Sequence, residues 1–218
     1  MLQLIKKNAA PYVLYLVLLL PLMTVAWLIK DRLLGTYQVF LAGLWLLMIL
    51  VGSLLTAEQR EEKTKGYAFL QTLPVKNRDV VAPKFLLSFL TAFVYIGYVY
   101  ILLEFKTGPE YLFALSRIVM VICAGAGLVL TSLIYIFVFR IGFSRIHKIL
   151  WLTFFVVILA PVLILEFVLR KLNVDYVKIF KSIVALPWHL WVLVGLCLLA
   201  LYFWLMLLAI KAKEASKG

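Results

Sequence analysis

Long apolar runs alternate with short charged connections along the whole chain. A helix needs about 20 mostly apolar residues to cross roughly 30 Å of hydrocarbon. Six runs meet that requirement, approximately Pro11–Ile29, Tyr37–Thr56, Phe85–Leu103, Leu112–Phe139, Ile149–Leu169 and Trp188–Ile210. Within lipid every backbone N–H and C=O must be paired inside the segment, and no run shows the alternation of a membrane strand, so each is expected to be a helix. The pattern predicts an all-α integral membrane protein with six transmembrane helices, forming a single transmembrane domain over residues 1–218. Lys6 and Lys7 precede the first run as they would precede a signal core. That run exceeds the roughly 7–15 residues of such a core and no small-residue cleavage site follows it, so it reads as a retained span.

Composition agrees with a lipid environment. Hydrophobic residues make up 66% of the 218-residue chain and charged residues 15%, with a mean hydropathy of +1.08. Soluble domains average about 45–50% apolar and about 25% charged. A water-soluble fold of this size could not bury so much apolar surface. The net charge of +12 resides in the connections, which points to anionic head groups and topological control rather than to nucleic acid. With both termini cytoplasmic, 14 of the 22 Lys and Arg residues fall on the inner side, the bias expected of that orientation. Cys123 and Cys197 lie inside apolar runs, without disulfide or metal spacing, and read as packing residues.

Two connections are long enough to hold a site, residues 57–84 on the inner side and 170–187 on the outer side. The first begins with a run of good helix formers from Glu58 to Lys65, acids first and lysines after, suited to i, i+4 pairing and the helix dipole. This run can extend the second span, with Gly66 breaking it. Tyr67, Phe69, Leu70 and Leu73 then form an apolar cluster outside any span, closed by Pro74. An apolar cluster rimmed by charge marks either a protein interface or residues resting in the membrane interface. Asn77 is placed to cap a short helix from Arg78 toward Lys84, and Pro83 to occupy the first turn of the third span.

The stretch Glu62-Lys63-Thr64-Lys65-Gly66-Tyr67-Ala68-Phe69-Leu70-Gln71-Thr72-Leu73-Pro74-Val75-Lys76-Asn77-Arg78-Asp79-Val80-Val81-Ala82-Pro83-Lys84 resembles the ABC-2 type transporter permeases, the membrane subunits of ATP-binding cassette exporters. The layout of six spans with cytoplasmic ends is similar as well. The resemblance implies that this loop is a coupling element that docks on a cytosolic ATPase subunit. Glu58, Glu61 and Glu62 would then be polar rim contacts. Tyr67, Phe69, Leu70 and Leu73 would be docking anchors between Gly66 and Pro74, because a few buried aromatics can dominate an interface. Arg78 and Lys84 would hold the loop at the head groups or on the partner. Two ATPase copies, carrying the ATP and Mg, would work with two copies of the permease in a prokaryotic plasma membrane. This chain would bind no cofactor itself.

On the outer side, residues 170–187 place apolar and charged positions at helical spacing, as in an amphipathic helix lying at the interface. Trp188 and Trp191 form a membrane-interface belt around His189. Glu166, near the outer end of the fifth span, is tolerable there. A charge at mid-helix costs about 2.5–3.5 kcal/mol, against a span whose apolar residues contribute roughly 5–10 kcal/mol. Arg117, Glu166, Trp188 and His189 are the candidates for a substrate path, each with the plainer reading of snorkelling or interfacial anchoring. In the fourth span Cys123 and Gly127 form a small-xxx-small pair suited to close helix packing, within the chain or across a dimer seam.

No phosphate-binding Gly-rich loop, metal-protease helix or nucleophile elbow occurs in the sequence, so the chain is not expected to be an enzyme. The expected function is an ATP-driven exporter's permease, moving hydrophobic or amphipathic cargo out across the membrane, with small peptides such as toxins or antimicrobial peptides the leading class. A membrane scaffold or sensor binding another cytosolic protein, and a lipid-modifying enzyme, are the alternatives.

Overall fold

A computed structural model describes residues 2–29, 36–66, 76–152, 156 and 176–215. Its elements are helical. They are α1 (Leu2–Ile29), α2 (Thr36–Lys63), α3 (Asn77–Glu104), α4 (Glu110–Ile141), α5 (Tyr176–Val184) and α6 (Trp188–Ala215). A further helical stretch covers residues 143–152. Four of these helices are long and apolar enough to cross a membrane, over Gln38–Lys63, Asn77–Glu104, Glu110–Ile141 and Trp188–Glu214, and Ala9–Val25 forms a shorter apolar helix. The fifth expected span, Ile149–Leu169, lies largely outside the described residues, and Glu166 with it.

The central helix is α2. Its residues from Ile49 to Leu55 are buried on every side, and it packs on α1 and most extensively on α4. Close approach depends on small residues, since lipid gives apolar helices no reason to prefer one another except fit. A Cβ at Gly43 of α2 would stand 2.6 Å from Cys123 Sγ on α4, and one at Gly127 would stand 2.8 Å from Leu50 Cδ1 on α2. The Cys123–Gly127 pair is therefore spent on packing within the chain. Gly125, on another face of α4, receives Leu198 of α6, whose Cδ1 and Cβ would lie 2.5 and 2.9 Å from an added Cβ.

The contacts set the direction of each helix. Tyr15 packs over Gly52 and Met23 lies beside the Tyr95 hydroxyl, which also reaches Ala42, so α1 and α2 are antiparallel and α3 runs with α1. Gly195 faces Val121, Leu198 faces Gly125 and Lys213 faces Phe139, so α4 and α6 run parallel. The start of α1, the end of α2, the start of α3 and the ends of α4 and α6 meet at one end of the bundle. Lys181 of α5 lies over the Tyr111 ring at 5.5 Å, at the start of α4 and hence at the opposite end. Ile141 and the start of α5 therefore stand at opposite ends of the bundle.

Two local features differ from the sequence expectation. The short helix expected from Arg78 toward Lys84 is not separate, because α3 runs unbroken from Asn77 through Pro83 to Glu104. Pro83 is the seventh residue of α3 rather than part of a first turn, so the bond that its missing N–H would give to the Asp79 carbonyl is not made. The break after α2 also comes one residue early. Lys65, not Gly66, carries the positive φ, at 51°, and its N–H bonds the Glu62 carbonyl at 3.0 Å. The amphipathic helix expected in residues 170–187 is present as α5.

Candidate functional site

Glu58 stands on α2 just past the apolar run and Lys84 on α3 just after Pro83. Their side chains are 0% and 3% exposed and form an ion pair inside the bundle. The sequence placed Glu58 on a polar rim and Lys84 at the head groups or on a partner. The structure places both inside the chain, because the last turns of α2 continue to pack against neighbouring helices beyond the apolar run. Glu61, one turn on, is buried too, whereas Glu62 and Arg78 are exposed. Gly66 is buried. Tyr67, Phe69, Leu70, Leu73 and Pro74 lie outside the described residues.

A bare charge in a low-dielectric interior needs a partner and further polar support. Here the Lys84 ammonium lies 5.7 Å from the centre of the Tyr135 ring and 5.6 Å from that of Phe139, both on α4. These are cation–π distances. Lys213 of α6 approaches the same Phe139 ring at 5.0 Å. Phe85 fills the adjacent space, its ring 5.3 Å from Tyr135 and 5.4 Å from Tyr202.

Around the pair, hydroxyls form a chain whose direction the proton count settles. Ser88 Oγ donates to the Lys84 carbonyl at 3.2 Å. Having one proton, Ser88 must accept from Tyr12, whose hydroxyl is 3.2 Å away. Tyr12 has then given its proton and must accept from Tyr135, at 2.8 Å. The order is Tyr135 to Tyr12 to Ser88 to the Lys84 carbonyl, crossing from α4 to α1 to α3. Tyr202 of α6 donates to the next carbonyl, that of Phe85, at 2.5 Å. Nearby, Tyr15 and Thr56 join α1 to α2 through their hydroxyls at 3.1 Å. Five helices thus converge on the two residues that bracket the connection between α2 and α3.

Tyr12, Ser88, Tyr135, Phe139, Tyr202 and Lys213 were not among the sequence candidates. The available signal was hydroxyls within apolar runs, since a polar group in a span needs a partner. Among the candidates for a substrate path, Arg117, Trp188 and His189 are exposed, Trp188 at 75%. The Trp188 and His189 rings meet edge-on at 6.5 Å. At 1.5 Å rise per residue they are roughly 37 Å along α6 from Lys213, and the structure does not bring them to the ion pair.

A family description, "ABC-2 family transporter protein", matches residues 2–213. No curated protein and no solved structure matches the chain.

Proposed function

The chain belongs to the ABC-2 transporter family, and from that premise we propose that it is the membrane subunit of an ATP-driven exporter. In this reading ATP and Mg belong to a separate cytosolic ATPase, present in two copies beside two copies of this chain in a prokaryotic plasma membrane. The bundle end that gathers the start of α1, the end of α2, the start of α3 and the end of α6 faces the cytoplasm. Closure of the ATPases moves the segment from Gly66 to Pro74, and the bundle passes between inward and outward arrangements. Hydrophobic or amphipathic molecules leave through it, with small peptides the first class to test.

The observation that supports this reading best is the buried Glu58–Lys84 pair. It joins the two ends of the α2–α3 connection inside the bundle, so that a load on the connection has a firm attachment on both sides. Surface loops of membrane proteins have no need of a charge pair withdrawn from solvent, and such a pair is difficult to maintain without five helices around it.

Co-purification tests the proposal. Affinity capture of the chain from membranes is expected to bring down an ATPase with a phosphate-binding loop in about equal amount. Replacing Phe69 and Leu70 with Asp is expected to abolish that association while the chain still inserts. Retention of the ATPase by the doubly substituted chain removes the docking assignment.

A further inference from the structure

Lys84 is held through both its side chain and its backbone. Its ammonium pairs with Glu58 of α2 and lies against Tyr135 and Phe139 of α4. Its carbonyl ends the hydroxyl chain that begins at Tyr135 and passes through Tyr12 of α1 and Ser88. The carbonyl of Phe85, its neighbour, is held by Tyr202 of α6. Immediately before it stands Pro83, which removes one backbone bond between residues 77–82 and the rest of α3. Lys213 of α6 approaches the same Phe139 ring.

We propose that Lys84 is the positioning residue through which displacement of the connection between α2 and α3 enters the bundle. The proposal deepens the reading above and rests on its docking of an ATPase at residues 66–74. Motion of the segment before Pro83 pivots at the proline and arrives at Lys84, where α1, α2 and α4 are attached, and at Phe85, where α6 is attached. An ion pair in apolar surroundings is made or lost over a short distance, because charge unpaired there is strongly disfavoured. The contact therefore favours two discrete arrangements over a gradual bend. A merely structural pair would hold the same helices together without affecting how far ATP-driven motion travels.

The test uses the full chain with the ATPase that co-purifies with it, in native membranes. Cys123 and Cys197 are replaced by Ala, and Leu186→Cys supplies a thiol at the opposite end, where Leu186 is exposed. The rate of labelling by a membrane-impermeant maleimide is measured without nucleotide and with ATP and vanadate. The parent chain is expected to show a nucleotide-dependent change in rate. In Glu58→Leu/Lys84→Met, where both members of the pair are removed together, ATPase capture and hydrolysis are expected to persist. The nucleotide-dependent change is expected to shrink roughly two- to thirtyfold. Lys84→Arg, which keeps a cation for Glu58, is expected to retain it.

An unchanged response in the double variant overturns the proposal, as does a parent chain that binds its ATPase but shows no response. If the double variant does not accumulate, Tyr12→Phe carries the test, since it breaks the hydroxyl chain and leaves the ion pair. Its response is expected to fall about twofold, and no change overturns the proposal. A parent chain that captures no ATPase defeats the docking reading instead, a separate result read before any variant is compared.

Discussion

The two ends of the bundle solve the same problem with different chemistry. At the end holding the α2–α3 connection, an acid and an ammonium are withdrawn from solvent and surrounded by rings and hydroxyls. At the other end neutral groups tie α1, α2 and α3 together, while Lys106 is buried and Lys181 lies over the Tyr111 ring. Tyr95 donates to the Ala42 carbonyl at 2.7 Å with Met23 Sδ 3.1 Å away, and the hydroxyls of Thr24 and Tyr98 meet. Arg117, Lys178 and Lys181 remain exposed there. Neutral bonds between membrane helices contribute modestly and are lost at modest penalty. A buried ion pair is a weak source of stability but is severely destabilising when half of it is removed. The contrast teaches that the first end favours discrete arrangements over a gradual bend, whereas the second is fastened largely by bonds that yield at smaller penalty.

That contrast can be broken most severely at Lys84. Lys84→Met alone leaves Glu58 charged and buried, and is expected to destabilise the fold by about 3–5 kcal/mol, seen as a large fall in the thermal midpoint in detergent. Adding Glu58→Leu is expected to restore most of that loss, and a double variant as unstable as the single one would mean that the pair contributes more than charge balance. Next in size is Tyr12→Phe, which removes two hydroxyl contacts at the ionic end. It is expected to lower stability by about 1–2 kcal/mol, since single interhelical bonds average about 0.6 and reach about 1.7 kcal/mol. Tyr95→Phe at the neutral end is expected to fall near that average, about 0.6 kcal/mol, in the same unfolding measurement. A loss larger than that of Tyr12→Phe would erase the distinction between the ends. Smallest of all, Arg117→Ala removes an exposed charge and is expected to stay within about 0.5 kcal/mol of the parent.

Much of the architecture was legible in apolar run length alone. The second, third, fourth and last expected spans coincide with the four helices long and apolar enough to cross a membrane, the first with the shorter apolar helix Ala9–Val25, and α5 followed from helical spacing. The rotation of each helix was not legible. In water, an apolar stripe marks the face that turns inward. In a bilayer the outward face is apolar as well, so α3 and α6 carry no stripe to read, and nothing in the sequence says that Tyr135 and Tyr12 face each other. Glu58 was misplaced for a related reason. The density of charge from Glu58 to Lys65 describes a solvated extension on average, yet two members of that run, Glu58 and Glu61, turn inward. Lys84 sat beside the start of an apolar run, where snorkelling is the ordinary expectation. Pro83 was read as a first-turn residue because the apolar run begins after it, whereas the helix itself begins at Asn77.

The seat of Leu198 at Gly125 limits what α4 and α6 can do to each other. To slide lengthwise, α6 would have to lift its leucine out of the notch and carry it over Val121 or the next turn of α4, a step of about 5.4 Å. Tilting the two together leaves that seat intact. Whatever stroke the bundle makes, these two parallel helices travel as one rigid beam, and the slack must be taken up elsewhere.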